Sequence, residues 1–260
     1  MNKMTIIVSG RKQSGKNTIS RFITCKYLNT ILKRKRFGII HVGKEYLITD
    51  LENNGRIINL ENDSPDSDDF KILHSVKIYS FADRLKQFCE FTLGVDHQTL
   101  YGDDSDKNGV TQIPWANFPK EIRDKYSKIY RANGKRRLGT YCSGRELMDS
   151  FGSGIVRKID QNAWVRSLWN QIESDNLGLS IISDARFPNE VSVLHERDNA
   201  KAIRLLRCHK HSLSESENAM ENFALANFDL IIDNQNLSVE QTWRQMNKFL
   251  DKYFAESGLV

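Results

Sequence analysis

Residues 5–23, TIIVSGRKQSGKNTISRFI, constrain the chain more than any other stretch. Ile6, Ile7 and Val8 form the continuous apolar run of a strand buried on both faces. Gly10, Gly15 and Lys16 follow at the spacing G-x-x-x-x-G-K, and Ile19, Phe22, Ile23 and Leu28 then recur at helical spacing. Strand, glycine-bracketed loop and helix start, in that order, open a βαβ unit. Such a loop points successive backbone N–H groups and a helix N-terminus at one spot, which suits a phosphate chain, and Lys16 adds a point charge there. The loop is therefore expected to bind ATP through Gly10, Ser14, Gly15, Lys16, Asn17 and Thr18. One departure stands out: Asn17 follows the lysine where many such loops carry the hydroxyl that ligates Mg²⁺, and Thr18 comes one place late. Thr18 is expected on phosphate, with Mg²⁺ held largely through water.

The rest of the chain alternates strand and helix patterns. Phe37 to His41 reads as a second strand, and "KEYLITDLENNGRIINLEN" reads as two alternating stretches around Asn54-Gly55, a hairpin signal. Glu61 to Asp69 is an acidic loop. "VKIYSF" and "ADRLKQFCEFTL" give a strand and a helix. Between Gly102 and Gly139 the sequence reads as irregular, with Trp115 between two prolines, as a substrate-covering lid or an ordinary insertion would. Two helices follow in "SGRELMDSFGSGIVRKIDQNAWVRSLWNQI". "LGLSIISDARFPNEVSVLHERD" is strand, loop and helix, "AKAIRLLR" a strand, "CHKHSLSESENAMENFA" a polar loop and helix, "FDLIIDN" a last strand, and residues from Ser238 an amphipathic helix. This alternation predicts an α/β chain with a mostly parallel sheet in three layers. The expected organisation is one domain over 1–260, with a hairpin and acidic-loop insert at 37–75 and a lid-like insert at 101–140.

At 260 residues, 39% hydrophobic and 27% charged, the composition is that of a soluble globular chain. No apolar run approaches the roughly 18 to 20 residues that cross a bilayer. The first residues enter a strand directly, so no signal peptide is expected. Cys25, Cys89, Cys142 and Cys208 are scattered, and reduced thiols in a cytoplasmic setting are expected. Net charge is +5, part of it in Lys33-Arg34-Lys35-Arg36 and Lys135-Arg136-Arg137. Those runs read either as solvated helix end and loop or as attraction for polyanions. His209 and His211 flank no second ligand pair, and a polar loop is the expected reading.

Asp184 ends an apolar strand beside the phosphate loop, where a carboxylate for Mg²⁺ or a plain strand-end residue belongs. Arg186 lies two residues on, where a guanidinium fork for phosphate is expected. "SGRKQSGKNT", "FADRLK", "GRELMDSFGSGIVR", "NAWVRSL", "ISDARFPNEV" and the stretch from Arg207 to Glu215 resemble, in this order, the deoxynucleoside monophosphate kinases of T-even phages and other large DNA viruses. The resemblance covers most of the chain outside 37–71 and 101–140. It implies a nucleoside-monophosphate-kinase-like phosphate-loop fold and ATP- and Mg²⁺-dependent phosphorylation of a deoxynucleoside monophosphate. It assigns Lys12, Lys86, Arg145, Gly152, Trp164, Asp184 and Arg186 to the acceptor nucleotide, although a core indole is nearly as good a reading of Trp164. Lys16, Arg186, Arg207 and Asp184 would serve the transfer, with Thr18 and Asp184 on Mg²⁺ through water. The implied partners are small nucleotides and at most a second copy of the chain, with neither membrane nor stable nucleic-acid binding. Two other readings stay open: phosphorylation of a hydroxyl on DNA or a modified nucleotide, and ATP-dependent regulation.

Overall fold

All seven residues of the first strand are buried, which places it at the centre of a sheet. The computed structural model describes residues 3–43, 45–60, 72–134, 138–207 and 215–259, with only the backbone of 215–217. In chain order the elements are β1 (Met4–Gly10), α1 (Lys16–Leu32), β2 (Phe37–Val42), β3 (Glu45–Asp50), β4 (Arg56–Ile57), β5 (Val76–Tyr79) and α2 (Phe81–Leu93). Next come α3 (His97–Tyr101), α4 (Asp104–Lys107), β6 (Val110–Pro114), α5 (Lys120–Ala132), β7 (Tyr141–Ser143), α6 (Gly144–Asp149), a π-helical stretch (Ser150–Val156), α7 (Arg157–Ile159) and α8 (Ala163–Asp175). The chain continues with β8 (Leu179–Ala185), α9 (Pro188–His195), β9 (Ala200–Leu205), α10 (Glu215–Glu221), β10 (Leu230–Ile232) and α11 (Val239–Glu256).

The chain divides into two compact units, Met1–Phe81 with Leu168–Val260, and Ala82–Ser167. The first holds a five-stranded sheet of order β10-β9-β1-β8-β5, every pair parallel. The chain is thus α/β with a parallel central sheet. Met4, Ile6 and Val8 share one core with Leu179, Ile181, Ile203 and Leu205, closed by Ile19, Phe22 and Ile23 of α1 and Met246, Leu250 and Phe254 of α11. Ile7 alternates to the opposite face with its register partners Ile182 and Ala202, where α9 packs against β1 and β9. Burial on both faces explains the apolar runs Ile6–Val8 and Ile181–Ile182 at the sheet's centre.

Register matters at one place. Ile7 pairs with Ile182 but Ser9 with Ala185, so β8 carries one extra residue opposite Val8. This bulge falls at Ser183 and Asp184, and a bulge re-aims side chains where it sits.

Phe37–Val42 does not join the parallel sheet. It pairs antiparallel with β3, and β3 with β4, in a separate sheet of order β2-β3-β4. The turn between β3 and β4 falls at Asn54 and Gly55, both at positive φ (52° and 75°), as expected of that dipeptide. The acidic loop Glu61 to Asp69 lies outside the described residues.

The second unit, Ala82–Ser167, has its own core of Cys89, Leu100, Trp115, Ile122, Tyr126 and Leu147. Most of the stretch read as irregular is regular: it supplies α4, β6 and the 13-residue α5. Ile122 and Tyr126, four apart, bury one side of α5, and Pro119 precedes it as N-cap. Trp115 is a core residue whose ring lies tilted against those of Phe118 and Tyr126. Among the described residues no helix is long and apolar enough to cross a membrane.

Candidate functional site

The loop after β1 turns by placing two residues in the left-handed region, Gln13 at φ 63° and Gly15 at φ 94°. Gly15 is the N-cap of α1 and offers no side-chain cap to the first-turn amides, which have no intrahelical acceptors by construction. Gly10 is required by packing: a Cβ there would press into Ser14 Oγ and lie 3.2 Å from the Leu205 carbonyl. Lys16 Nζ donates to the carbonyls of Gly10 (2.8 Å) and Arg11 (2.7 Å), arching over its own loop. Ser14 is fully buried, and its hydroxyl has no hydrogen-bond partner. Asn17 is exposed and Thr18 half-buried.

The loop is braced from the last strand. Asn234, buried just past β10, donates through Nδ2 to the Ser14 carbonyl at 2.9 Å, while its Oδ1 is buried without a partner. Arg207 Nε donates to the Asn234 carbonyl at 3.2 Å. Arg207 is thus anchored to the segment that holds the loop. Cys208, His209 and His211, and the polar loop they begin, lie outside the described residues.

Four cations converge beside the loop. Gly10, Arg11, Lys12, Arg186, Arg204 and Met220 line one pocket at the carboxyl end of the parallel strands. Lys12 is exposed, whereas Arg204 is buried and donates through Nη1 to Ser9 Oγ at 2.9 Å. Ser9 in turn donates to the Ala185 carbonyl at 3.0 Å, so Arg204 is tied across β9, β1 and β8. Glu221 faces Arg11 and Arg204 with its carboxylate.

The backbone that carries Arg186 is fixed by Glu190. This buried carboxylate accepts from the amides of Arg186 (2.6 Å) and Phe187 (3.0 Å), while Pro188 starts the helix. Asp184, aimed by the bulge, accepts from Ser80 Oγ at 2.7 Å and from the Phe81 amide at 2.8 Å. Its first role is thus to cap the helix that begins at Phe81.

No family model matches the chain, and no curated protein does.

The second unit treats its assigned residues differently. Lys86 pairs with Asp83 at 3.1 Å and lies 4.6 Å over the Tyr101 ring. Arg145 contacts Asp104 (2.7 Å) and Asn108 (3.1 Å), tying α6 to α4 and the residue that ends it. Gly152 makes its close approach to Leu85: a Cβ there would lie 2.8 Å from a Leu85 methyl carbon. Trp164 is buried and donates from its indole to the Gly152 carbonyl at 3.1 Å.

Arg204, Glu190, Glu221 and Asn234 escaped the sequence reading. A legible signal existed for two. Glu190 stands three after Phe187 with Pro188 between, a helix-start pattern. Arg204 stands between Ile203 and Leu205, a cation inside the apolar end of its strand. Among the described residues no group of three His, Cys, Asp or Glu is placed to hold a metal ion. Cys25, Cys89 and Cys142 are free and buried. Burial pushes the Cys25 thiol up to about 12, and burial followed by Cys142 pushes Cys89 up to about 11, which makes both poor nucleophiles.

Proposed function

We propose that this chain transfers the terminal phosphoryl group of ATP to a deoxynucleoside monophosphate, giving the diphosphate for DNA synthesis. The observation that carries the reading is the convergence of Arg11, Lys12, Arg186 and Arg204 beside a glycine loop that Lys16 closes. The resemblance to viral deoxynucleoside monophosphate kinases, and with it a three-layer phosphate-loop fold, belongs to the same proposal.

The residues fit a phosphate chain. A helix start without a side-chain cap stands where anionic oxygens would be received. Gly10, Ser14, Gly15, Lys16, Asn17 and Thr18 would hold ATP. Thr18 and Asp184 would reach Mg²⁺ through water, and the ion would neutralise charge on the phosphates. The acceptor's own phosphate oxygen is anionic at neutral pH, so no general base is needed. Catalysis then consists of alignment and charge neutralisation, by Lys16, Arg186 and Arg207 around the moving group. Lys12 would meet the acceptor. The resemblance assigns Lys86 and Arg145 to the acceptor as well, each of which would have to leave its present acidic partner.

The test is chromatography of the protein incubated with ATP, Mg²⁺ and each of the four deoxynucleoside monophosphates. Formation of diphosphate from at least one is expected. ATP turnover that appears only with DNA, or no transfer to any free monophosphate, overturns the reading.

A further inference from the structure

Glu221 closes α10 with its carboxylate held by two guanidiniums of the cationic pocket. Arg11 reaches Oε1 through Nε at 3.0 Å and Oε2 through Nη2 at 2.9 Å. Arg204 reaches Oε1 through Nη2 at 3.4 Å. The neighbouring Met220 lines the same pocket, so the end of α10 is one of its walls. The pocket thus holds an anion already, and the anion belongs to the chain itself.

The two sides of this contact are unequal. The Arg204 side chain is 5% exposed and that of Glu221 39%. Arg204 is fixed by Ser9 inside the sheet and lies 5.9 Å from the Phe228 ring centre, whereas Glu221 ends a seven-residue helix. The anion is therefore the partner that can move. A deeply buried guanidinium is poorly solvated without a counter-ion, so Glu221 leaves readily only in exchange for another anion. A phosphate monoester qualifies: it offers three acceptor oxygens and up to two charges to the same guanidinium forks.

We infer that Glu221 is an exchangeable internal counter-ion, which holds α10 against the glycine loop until the acceptor's phosphate takes its place between Arg11 and Arg204. This rests on the proposed function. It adds Arg11 and Arg204 to the acceptor side of the site and makes α10 a latch that opens on binding.

The experiment titrates the full chain calorimetrically with each deoxynucleoside monophosphate, wild type beside Glu221→Gln, which keeps the shape and removes the charge. The variant should bind on the order of tenfold more tightly, because the ligand no longer displaces a carboxylate. In parallel, hydrogen exchange of the α10 amides in the wild type should speed up when the same nucleotide saturates it. Both results are required. If the wild type binds but Glu221→Gln binds equally or less tightly, or if α10 exchange is unchanged or slowed, the inference is overturned and Glu221 merely positions the arginines. A wild type that binds none of the four monophosphates overturns the proposed function and the inference together.

Discussion

Lys16 begins α1 with its ammonium on the carbonyls of Gly10 and Arg11, and it is half-buried by the loop rather than by the core. Lys16→Ala should therefore leave circular dichroism and the unfolding midpoint nearly unchanged while removing almost all phosphoryl transfer. Near-normal turnover in the folded variant would mean that the loop is not the donor site. Asp184 differs because it has structural work as well. Asp184→Ala leaves the Phe81 amide and the Ser80 hydroxyl without their acceptor and should cost about 1–3 kcal/mol of stability. Asp184→Asn keeps an acceptor for that amide, so it should fold with a smaller loss yet need more Mg²⁺ for half-maximal rate. Equal Mg²⁺ dependence in Asp184→Asn and wild type would leave Asp184 as a helix cap only.

At the scale of elements, the loops and strands are set by close approaches and by one buried ion pair. Asp50 ends β3 with 2% of its side chain exposed, facing Arg36 at 2.8 Å. Burial alone would raise its pKa, but hydrogen bonds from Arg36, Asn53 and the Glu52 amide outweigh it and hold the carboxyl below the usual range. A lowered pKa means that this stabilisation is full above about pH 3.9, the ordinary carboxylate value, and is lost as pH falls through the folded value. Thermal melts between pH 6 and about pH 2 should show Asp50→Asn losing less stability in acid than the wild type does; parallel curves would exclude Asp50 as a source of acid lability. Arg36→Ala, which strands the carboxylate, should cost about 3–5 kcal/mol. Around α6 the decisive quantity is what a new methyl would meet. At Gly144 it would lie 2.8 Å from the Thr99 carbonyl oxygen, which is backbone, and at Gly152 2.8 Å from a Leu85 methyl, which can swing aside. Gly144→Ala should thus cost about 1–3 kcal/mol and Gly152→Ala less, read as unfolding midpoints in urea. The reverse order would show that the π-helical stretch, not the α6 start, is the tighter joint.

For the whole molecule, a net charge of +5 invites the thought of nucleic acid. Two cations of the first basic run already face carboxylates: Arg34 pairs with Glu52 at 3.1 Å on the surface, and Arg36 is buried against Asp50. Lys135-Arg136-Arg137 lies outside the described residues. Retention of duplex DNA in a filter-binding assay should therefore be weak and vanish by about 0.15 M salt, as contacts to phosphate alone do. Salt-resistant binding that also stimulates ATP turnover would favour a hydroxyl acceptor on DNA.

What the sequence determined by itself was local and periodic. The strand, glycine loop and helix of residues 5–23, the turn at Asn54-Gly55 and the strands β8 and β9 were legible because each is dictated by neighbours within a few residues, through backbone conformation and burial pattern. Helix α5 was equally periodic at Ile122 and Tyr126, but its high charge masked the stripe. Tertiary structure decided the rest. Phe37–Val42 has strand character in either sheet, and only pairing partners place it in the antiparallel one. The bulge that aims Asp184 exists only in register with β1, and Gly152 serves Leu85, a residue 67 positions away. Arg204, Glu221 and Asn234 acquire meaning from contacts with Ser9, Arg11 and Ser14 across 195, 210 and 220 residues. Charge and hydrogen bonding act through space at a few ångströms, so a site built by strand order and loop closure leaves little trace in the linear order of its residues.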